Sequence, residues 1–216
     1  MSPEEEFRID GPAGAVATVV LAHGAGAPMS SPFLERIAAG LAAGGLRVVR
    51  FEFPYMRARR DGGARRPPDR EAVLREAWRS VIERLGGGAA LVIGGKSLGG
   101  RIATLVADEV SARGVVCLGY PFHPPGKPDR LRTRHLADLR TPALVLQGTR
   151  DPFGGRDEVG GYRLSPRIRV QWLEDGDHSF KPRKASGRTE EENLSEAVGA
   201  TVRFVTSLPT SPAPRT

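Results

Sequence analysis

The sequence predicts an α/β protein whose mostly parallel sheet carries helices on both faces. Three observations predict it. Apolar runs rich in β-branched residues, such as Ala15 to Ala22, are continuous rather than alternating, as in strands buried on both faces. Segments with helical spacing separate these runs. Gly95-x-Ser97-x-Gly99 sits where one apolar run hands over to an amphipathic segment (Leu98, Ile102, Leu105, Val106), the pattern of a nucleophile elbow.

In chain order, Phe7 to Ile9 reads as a short edge strand ended by Asp10-Gly11-Pro12. Ala15 to Ala22 is the first buried strand. Ser31 and Pro32 open a helix to about Ala43, stopped by Gly44-Gly45. Leu46 to Phe53 is the next strand, broken at Pro54. Arg57, Arg59, Arg60, Arg65 and Arg66 follow in what reads as one loop with Asp61-Gly62-Gly63. Pro67-Pro68-Asp69 opens a helix through Leu85, with Val73, Leu74, Ala77, Val81 and Leu85 on its apolar face. Ala89 to Ile93 is the elbow strand. Gly114 to Gly119 and Thr141 to Gly148 are further strands, and Arg167 to Leu173, more polar, is nearer an edge. Thr189 to about Val205 is a closing helix with Asn193, Leu194, Ala197, Val198, Val202 and Val205 inward. Residues 1–206 read as a single domain and 207–216 (Ser207 to Thr216, rich in Pro, Ser and Thr) as a disordered tail.

Composition limits the function classes. No run of about 18 apolar residues exists, so no membrane partner or span is expected. The acidic start (Glu4-Glu5-Glu6) is the reverse of a secretory leader, and the one cysteine, Cys117, lies in an apolar strand. Both suit a reducing cytoplasm. The net charge of +7 raises nucleic acid as a partner, but the arginines are dispersed and lie in no binding motif, so none is expected. Gly95-Lys96-Ser97 ends like a phosphate-binding loop, yet position 90 is alanine where that motif needs glycine.

Ligands of an open α/β sheet sit beyond the C-terminal strand ends. The reactive residues there are His23, Ser97, Asp151 and His178. A serine nucleophile needs a base, and the base needs an acid that fixes its tautomer. We assign Ser97 as nucleophile, His178 as base and Asp151 as the acid, with Asp157 and Glu158 as rivals for the last. Backbone N–H groups of Ala25 (or of Gly26) and of Leu98 are the expected oxyanion donors. Asp177 is read as shaping the loop around His178, and His135 as structural. Tyr55, Tyr120, Phe122, His123 and Phe153 are expected to line the substrate site, with Phe53 and Phe180 beside them. No histidine pair has metal-ligand spacing, so neither metal nor cofactor is expected.

The set HGAGAP, GGKSLGG, GYPFHPPGKP, LQGTRDPFG and DGDHSF resembles a family of small bacterial α/β-hydrolases, distantly similar to dienelactone hydrolases. It is also similar to the hydrolase-like domain in a subunit of the nonspecific-lethal chromatin complex. The resemblance spans roughly residues 16 to 206. It implies the α/β-hydrolase fold and a serine-hydrolase triad at Ser97, Asp151 and His178. It implies no substrate; the apolar residues near the predicted mouth, with the arginine loop close in sequence to Tyr55, point to an ester or thioester, with a scaffold that keeps the elbow without turnover as the alternative. Only about 20 residues separate the strands at Gly114 and Thr141, too few for a lid domain. The site is therefore expected to be uncapped.

Overall fold

A computed structural model describes residues 6–209. The elements in chain order are β1 (Phe7–Asp10), β2 (Thr18–Ala22), α1 (Pro32–Ala43), β3 (Arg47–Phe51), α2 (Pro54–Arg60), α3 (Glu71–Arg84) and β4 (Leu91–Lys96). They continue with α4 (Leu98–Val106), β5 (Gly114–Leu118), β6 (Ala143–Gly148), α5 (Arg156–Val159), β7 (Ile168–Leu173) and α6 (Glu190–Ser207). The strands form one sheet in the order β1-β3-β2-β4-β5-β6-β7. Only β1 runs antiparallel, against β3, and all other pairs are parallel. This is the α/β-hydrolase architecture, with β7 at one edge.

Successive strand residues point to opposite faces, so each run feeds two cores. Val20 and Ala22 of β2, Ile93 of β4 and Val115 and Cys117 of β5 pack beneath α3 and α4. Val19, Leu21, Val92, Val116 and Leu118 pack on the opposite side, beneath α1 and α6. Each fully buried Val, Leu, Ile or Phe contributes roughly 1.5–3 kcal/mol. The need to bury both faces is what makes these runs continuous in sequence. At Cys117, burial pushes the thiol's pKa up, so the group stays a protonated apolar filler.

Several boundaries differ from expectation for identifiable reasons. β2 starts at Thr18 rather than Ala15, because Ala15 N–H closes a turn on the Pro12 carbonyl and Val16 stands out in solvent. Arg57, Arg59 and Arg60 do not lie in a loop: Pro54 begins the short helix α2. The buried face of α3 is Leu74, Trp78, Val81 and Ile82, and Val73 is exposed. Trp78 sets that rotation, with its ring edge-on to Phe51 at 4.7 Å. α6 is held at its start by a capping box between Thr189 and Glu192. It runs on to Ser207, and Leu208 is buried, with its carbonyl accepting from Arg113 Nη2 at 2.9 Å. The expected tail therefore does not begin at Ser207. Its remainder, 210–216, lies outside the described residues. Among the described residues, no helix is long and apolar enough to cross a membrane.

Candidate active site

The C-terminal ends of the parallel strands converge on one edge. β4 delivers Ser97, β6 leads to Asp151, β7 leads to His178 and β2 leads to His23. Ser97 itself has φ 50° and ψ −109°, a strained backbone for a residue with a side chain. Two glycines make that turn possible. A Cβ at Gly95 would overlap the Ala22 carbonyl, and one at Gly99 would lie 2.7 Å from the Ala22 carbonyl carbon. The chain can turn from β4 into α4 against β2 only because neither position carries a side chain.

His178 is aimed by its loop. Asp175, at φ 52°, accepts from Arg183 N at 2.7 Å and pairs with Arg150 Nε at 2.8 Å. These charges hold the Asp175 carboxyl down at about 2, the Arg183 hydrogen bond most strongly. Asp177 Oδ1 accepts from Ser179 N at 2.7 Å and Lys181 N at 3.0 Å, so this side chain ties the loop to itself. The buried Asn193 amide donates to the Phe180 carbonyl at 2.7 Å and the Glu174 carbonyl at 3.1 Å. A Cβ at Gly148 would lie 2.6 Å from the Gly176 carbonyl carbon, so the Asp151 and His178 loops touch backbone to backbone.

Ser97, His178 and Asp151 form one hydrogen-bonded chain. The Ser97 hydroxyl donates to His178 Nε2 at 2.9 Å, and His178 Nδ1–H donates to Asp151 Oδ2 at 2.8 Å. The tautomer follows from the carboxylate, which has only acceptors to offer. The Asp151 side chain is fully buried and that of His178 is 20% exposed, so the chain runs from the interior towards solvent. Burial lowers the His178 pKa, and the Lys96 charge lowers it further, while Asp151 opposes both. Such a chain can remove a proton from the serine hydroxyl and return it to a leaving group.

The other expected residues divide. Leu98 is the first residue of α4, so its N–H belongs to the helical first turn whose donors have no intrahelical acceptor. Ala25 and Gly26 lie in the loop after β2. This loop passes over the elbow: a Cβ at Gly24 would lie 3.8 Å from Ser97 Cβ. His23 is buried, donating from Nδ1 to the Gly24 carbonyl at 2.7 Å and accepting the Phe53 N–H on Nε2 at 3.1 Å. Burial brings its pKa to about 4, so it stays neutral and fixes the loop.

Of the five residues expected to bind substrate, Phe153 stands against His178, with ring centroids 4.2 Å apart. Tyr55 is buried, and its hydroxyl donates to the Ala25 carbonyl at 3.0 Å, so it braces the loop, although it also lines a neighbouring cavity. Tyr120, Phe122 and His123, expected at the substrate site, are buried instead. Gly119, at φ 70°, turns the chain back into the core. There Tyr120 OH donates to the Arg132 carbonyl at 2.9 Å, and Phe122 packs on Tyr120 and Tyr162. The buried His123 meets Glu158 Oε2 at 2.7 Å. Phe53 and Phe180 are likewise fully buried. The rival acids fall away from His178, since Asp157 and Glu158 lie on α5 and Glu158 faces His123. His135 hydrogen-bonds Thr104 Oγ1 at 2.9 Å, inside the structure.

Comparison with known proteins fixes the family. A family model described as an alpha/beta hydrolase domain matches residues 15–206. The chain belongs to the alpha/beta-hydrolase family. Among solved structures, this alpha/beta hydrolase is similar to a dienelactone hydrolase from Anabaena variabilis, at 20% identity and a TM-score of 0.71, covering 94% of this chain and 91% of that one. It is also similar to a serine hydrolase without a lid from Xanthomonas campestris, at 21% identity, a TM-score of 0.66 and coverages of 95% and 90%. A monoacylglycerol lipase from Paleococcus ferrophilus matches at 17% identity and a TM-score of 0.66, covering 92% of this chain and 98% of that one. At these identities the likeness is one of fold.

Two residues of this alpha/beta hydrolase were not singled out for the site from sequence. Gln147 is buried, donates through Nε2 to Asp151 Oδ2 at 2.9 Å and accepts Tyr120 N–H at 2.7 Å. With Phe153 N–H on Asp151 Oδ1 at 2.9 Å, it fixes the carboxylate, sharing Oδ2 with His178. Lys96 donates through Nζ to the His178 carbonyl and lies over the Phe33 ring at 5.4 Å. Burial brings its ammonium down to about 8, against the opposing charges of Asp151 and Asp177. A polar residue closing an apolar strand, as in both Gly-Gly-Lys96 and Leu-Val-Leu-Gln147, is the signal that could have found them.

Proposed function

We propose that this chain is a serine hydrolase that cleaves a carboxylic ester or thioester through an acyl-enzyme on Ser97. The observation that carries the reading is the continuous hydrogen-bonded chain from Ser97 through His178 to Asp151, mounted on a strained elbow. In the first half-reaction Ser97 Oγ attacks the acyl carbon and its proton passes to His178 Nε2. The oxyanion of the tetrahedral intermediate takes hydrogen bonds from the N–H groups of Leu98 and Ala25. Collapse breaks the bond to the leaving oxygen or sulfur, which takes the proton from His178. Water, deprotonated by the same imidazole, then attacks the acyl-enzyme and restores the serine. Asp151 keeps the proton on Nδ1 and stabilises the imidazolium.

Steady-state and burst kinetics with 4-nitrophenyl acyl esters and acyl thioesters test this reading. Turnover that disappears in Ser97→Ala is expected, and turnover that survives there would overturn it. A pH profile tests the base. Catalysis needs neutral His178, whose pKa is lowered, so the acid limb of kcat/KM lies below the ordinary histidine value near 6.5. Lys96→Met removes a positive charge that disfavours the imidazolium, so the imidazole pKa rises and the acid limb moves to higher pH. An unmoved limb would mean that Lys96 acts only through its hydrogen bond to the His178 carbonyl.

A further inference from the structure

Beside the loop that carries Ala25 and Gly26 lies a cavity of about 370 Å³, lined also by Tyr55, Met56, Arg59, Arg65, Arg66, Pro67 and Pro68. Three guanidinium groups thus share one concavity with the backbone expected to hold the oxyanion. Among the described residues, only Asp69 forms an ion pair with one of these three arginines, Arg66. Asp69 Oδ2 accepts the Tyr55 N–H at 2.9 Å, and its other oxygen is 3.7 Å from Arg66. Glu52, in the adjoining cavity, is held by Arg60 at 3.1 Å and by Met29 N–H at 3.3 Å. Arg57, which points away, pairs with Glu6 at 3.3 Å. Among the described residues, neither Arg59 nor Arg65 has a carboxylate within ion-pair distance.

We infer that this cavity is an anion subsite, and that the substrate carries a carboxylate or phosphate which Arg59, Arg65 and Arg66 receive while its ester or thioester reaches Ser97. The inference rests on the hydrolase reading and adds a substrate class to it. One loop joins the cavity to Ser97. Gly24 adjoins the serine, Ala25 and Gly26 follow it into the cavity wall, and Tyr55 ties that wall to α2. Exposed guanidinium groups leave the anion in contact with water, so each acts at high effective dielectric, and together they give an effect on the order of tenfold or more. Such a preference shrinks as salt rises, because exposed charges are screened.

The test uses matched substrate pairs. The mono-4-nitrophenyl ester of glutarate, against neutral 4-nitrophenyl butyrate, places a carboxylate on the acyl side. Butyryl-coenzyme A, against the butyryl thioester of N-acetylcysteamine, places phosphates on the leaving group. We expect a kcat/KM ratio of at least about tenfold in favour of the anionic member of one pair, falling towards 1 in Arg59→Gln/Arg65→Gln and at about 0.5 M salt. The pair that responds identifies carboxylate or phosphate. Ratios near 1 in both pairs, or a preference kept by the double variant, overturn the subsite while leaving the hydrolase reading intact. If nothing is turned over and Ser97 takes no covalent label, the hydrolase reading has failed instead. Calorimetric titration with glutarate and with coenzyme A then tests the cavity alone. Binding weakened at least about tenfold by the double variant supports the subsite, and binding absent or indifferent to the arginines overturns it.

Discussion

Asp151→Asn is expected to lower kcat by about 1,000- to 10,000-fold on a protein that still folds. The reason lies in the donors around the carboxylate. Phe153 N–H points at Oδ1, and Gln147 Nε2 and His178 Nδ1 point at Oδ2. An asparagine has one carbonyl oxygen for these two positions. With its carbonyl towards Phe153, its NH2 group faces His178 and forces the proton onto Nε2, the nitrogen that must accept from Ser97. Turned the other way, it sets NH2 against the Phe153 N–H and leaves that donor unpaired, at a cost of about 1–3 kcal/mol. The first arrangement also sets the NH2 against Gln147 Nε2, but that group keeps the Tyr120 and Gly154 carbonyls, each at 3.1 Å, as acceptors, so this arrangement is the less costly, and it is the inactive one. Steady-state kinetics beside a thermal melt check this. A loss below tenfold in a folded variant would move the acid to another residue.

The second large effect is on folding. Gly95→Ala is expected to cost more than about 4 kcal/mol, or to give no soluble protein, for one added methyl group. Gly95 sits at φ 147°, outside the range that residues with side chains adopt. The added Cβ would overlap the Ala22 carbonyl and lie 2.8 Å from the Ala22 nitrogen. Ala22 and Gly95 are directly paired across the parallel β2–β4 ladder, so β2 cannot retreat without giving up the centre of the sheet. Gly199→Ala is the contrast. It lies inside α6, where its Cβ would meet only the flexible end of Arg203 at 3.2 Å, and the higher helix propensity of alanine should stabilise by up to about 1 kcal/mol. Urea denaturation of both variants checks the pair. A Gly95→Ala protein as stable as wild type would contradict the packing described for the elbow.

The contrast between these two glycines also explains what the sequence made readable. The strands and the elbow were legible because their constraints are local. Burial on two faces demands unbroken apolar runs, and the close approach of β2, β4 and α4 demands glycine around one serine. Ser97, Asp151 and His178 could be collected because each follows a strand end. The substrate wall was not legible, because a residue just past a strand end can face solvent or fold back. Tyr120 and Phe122 fold back because Gly119 takes φ 70° and Gln147 captures the Tyr120 N–H. The orientation of α3 was off by about one position because Trp78 claims the space against Phe51, a tertiary preference that apolar spacing does not encode. α2 reads as loop in the sequence because a short helix dense in arginine carries little apolar period.

The central claim is that Ser97 is an activated nucleophile, and covalent labelling reads it most directly. A fluorophosphonate probe is attacked at phosphorus by the serine oxygen and releases fluoride. Intact mass and peptide mapping then locate the adduct in wild type, Ser97→Ala and His178→Ala. The account predicts one adduct per chain, on Ser97, absent in Ser97→Ala and formed at least about 100-fold more slowly in His178→Ala. A folded wild-type protein that takes no label, or labels as fast without His178, would contradict it.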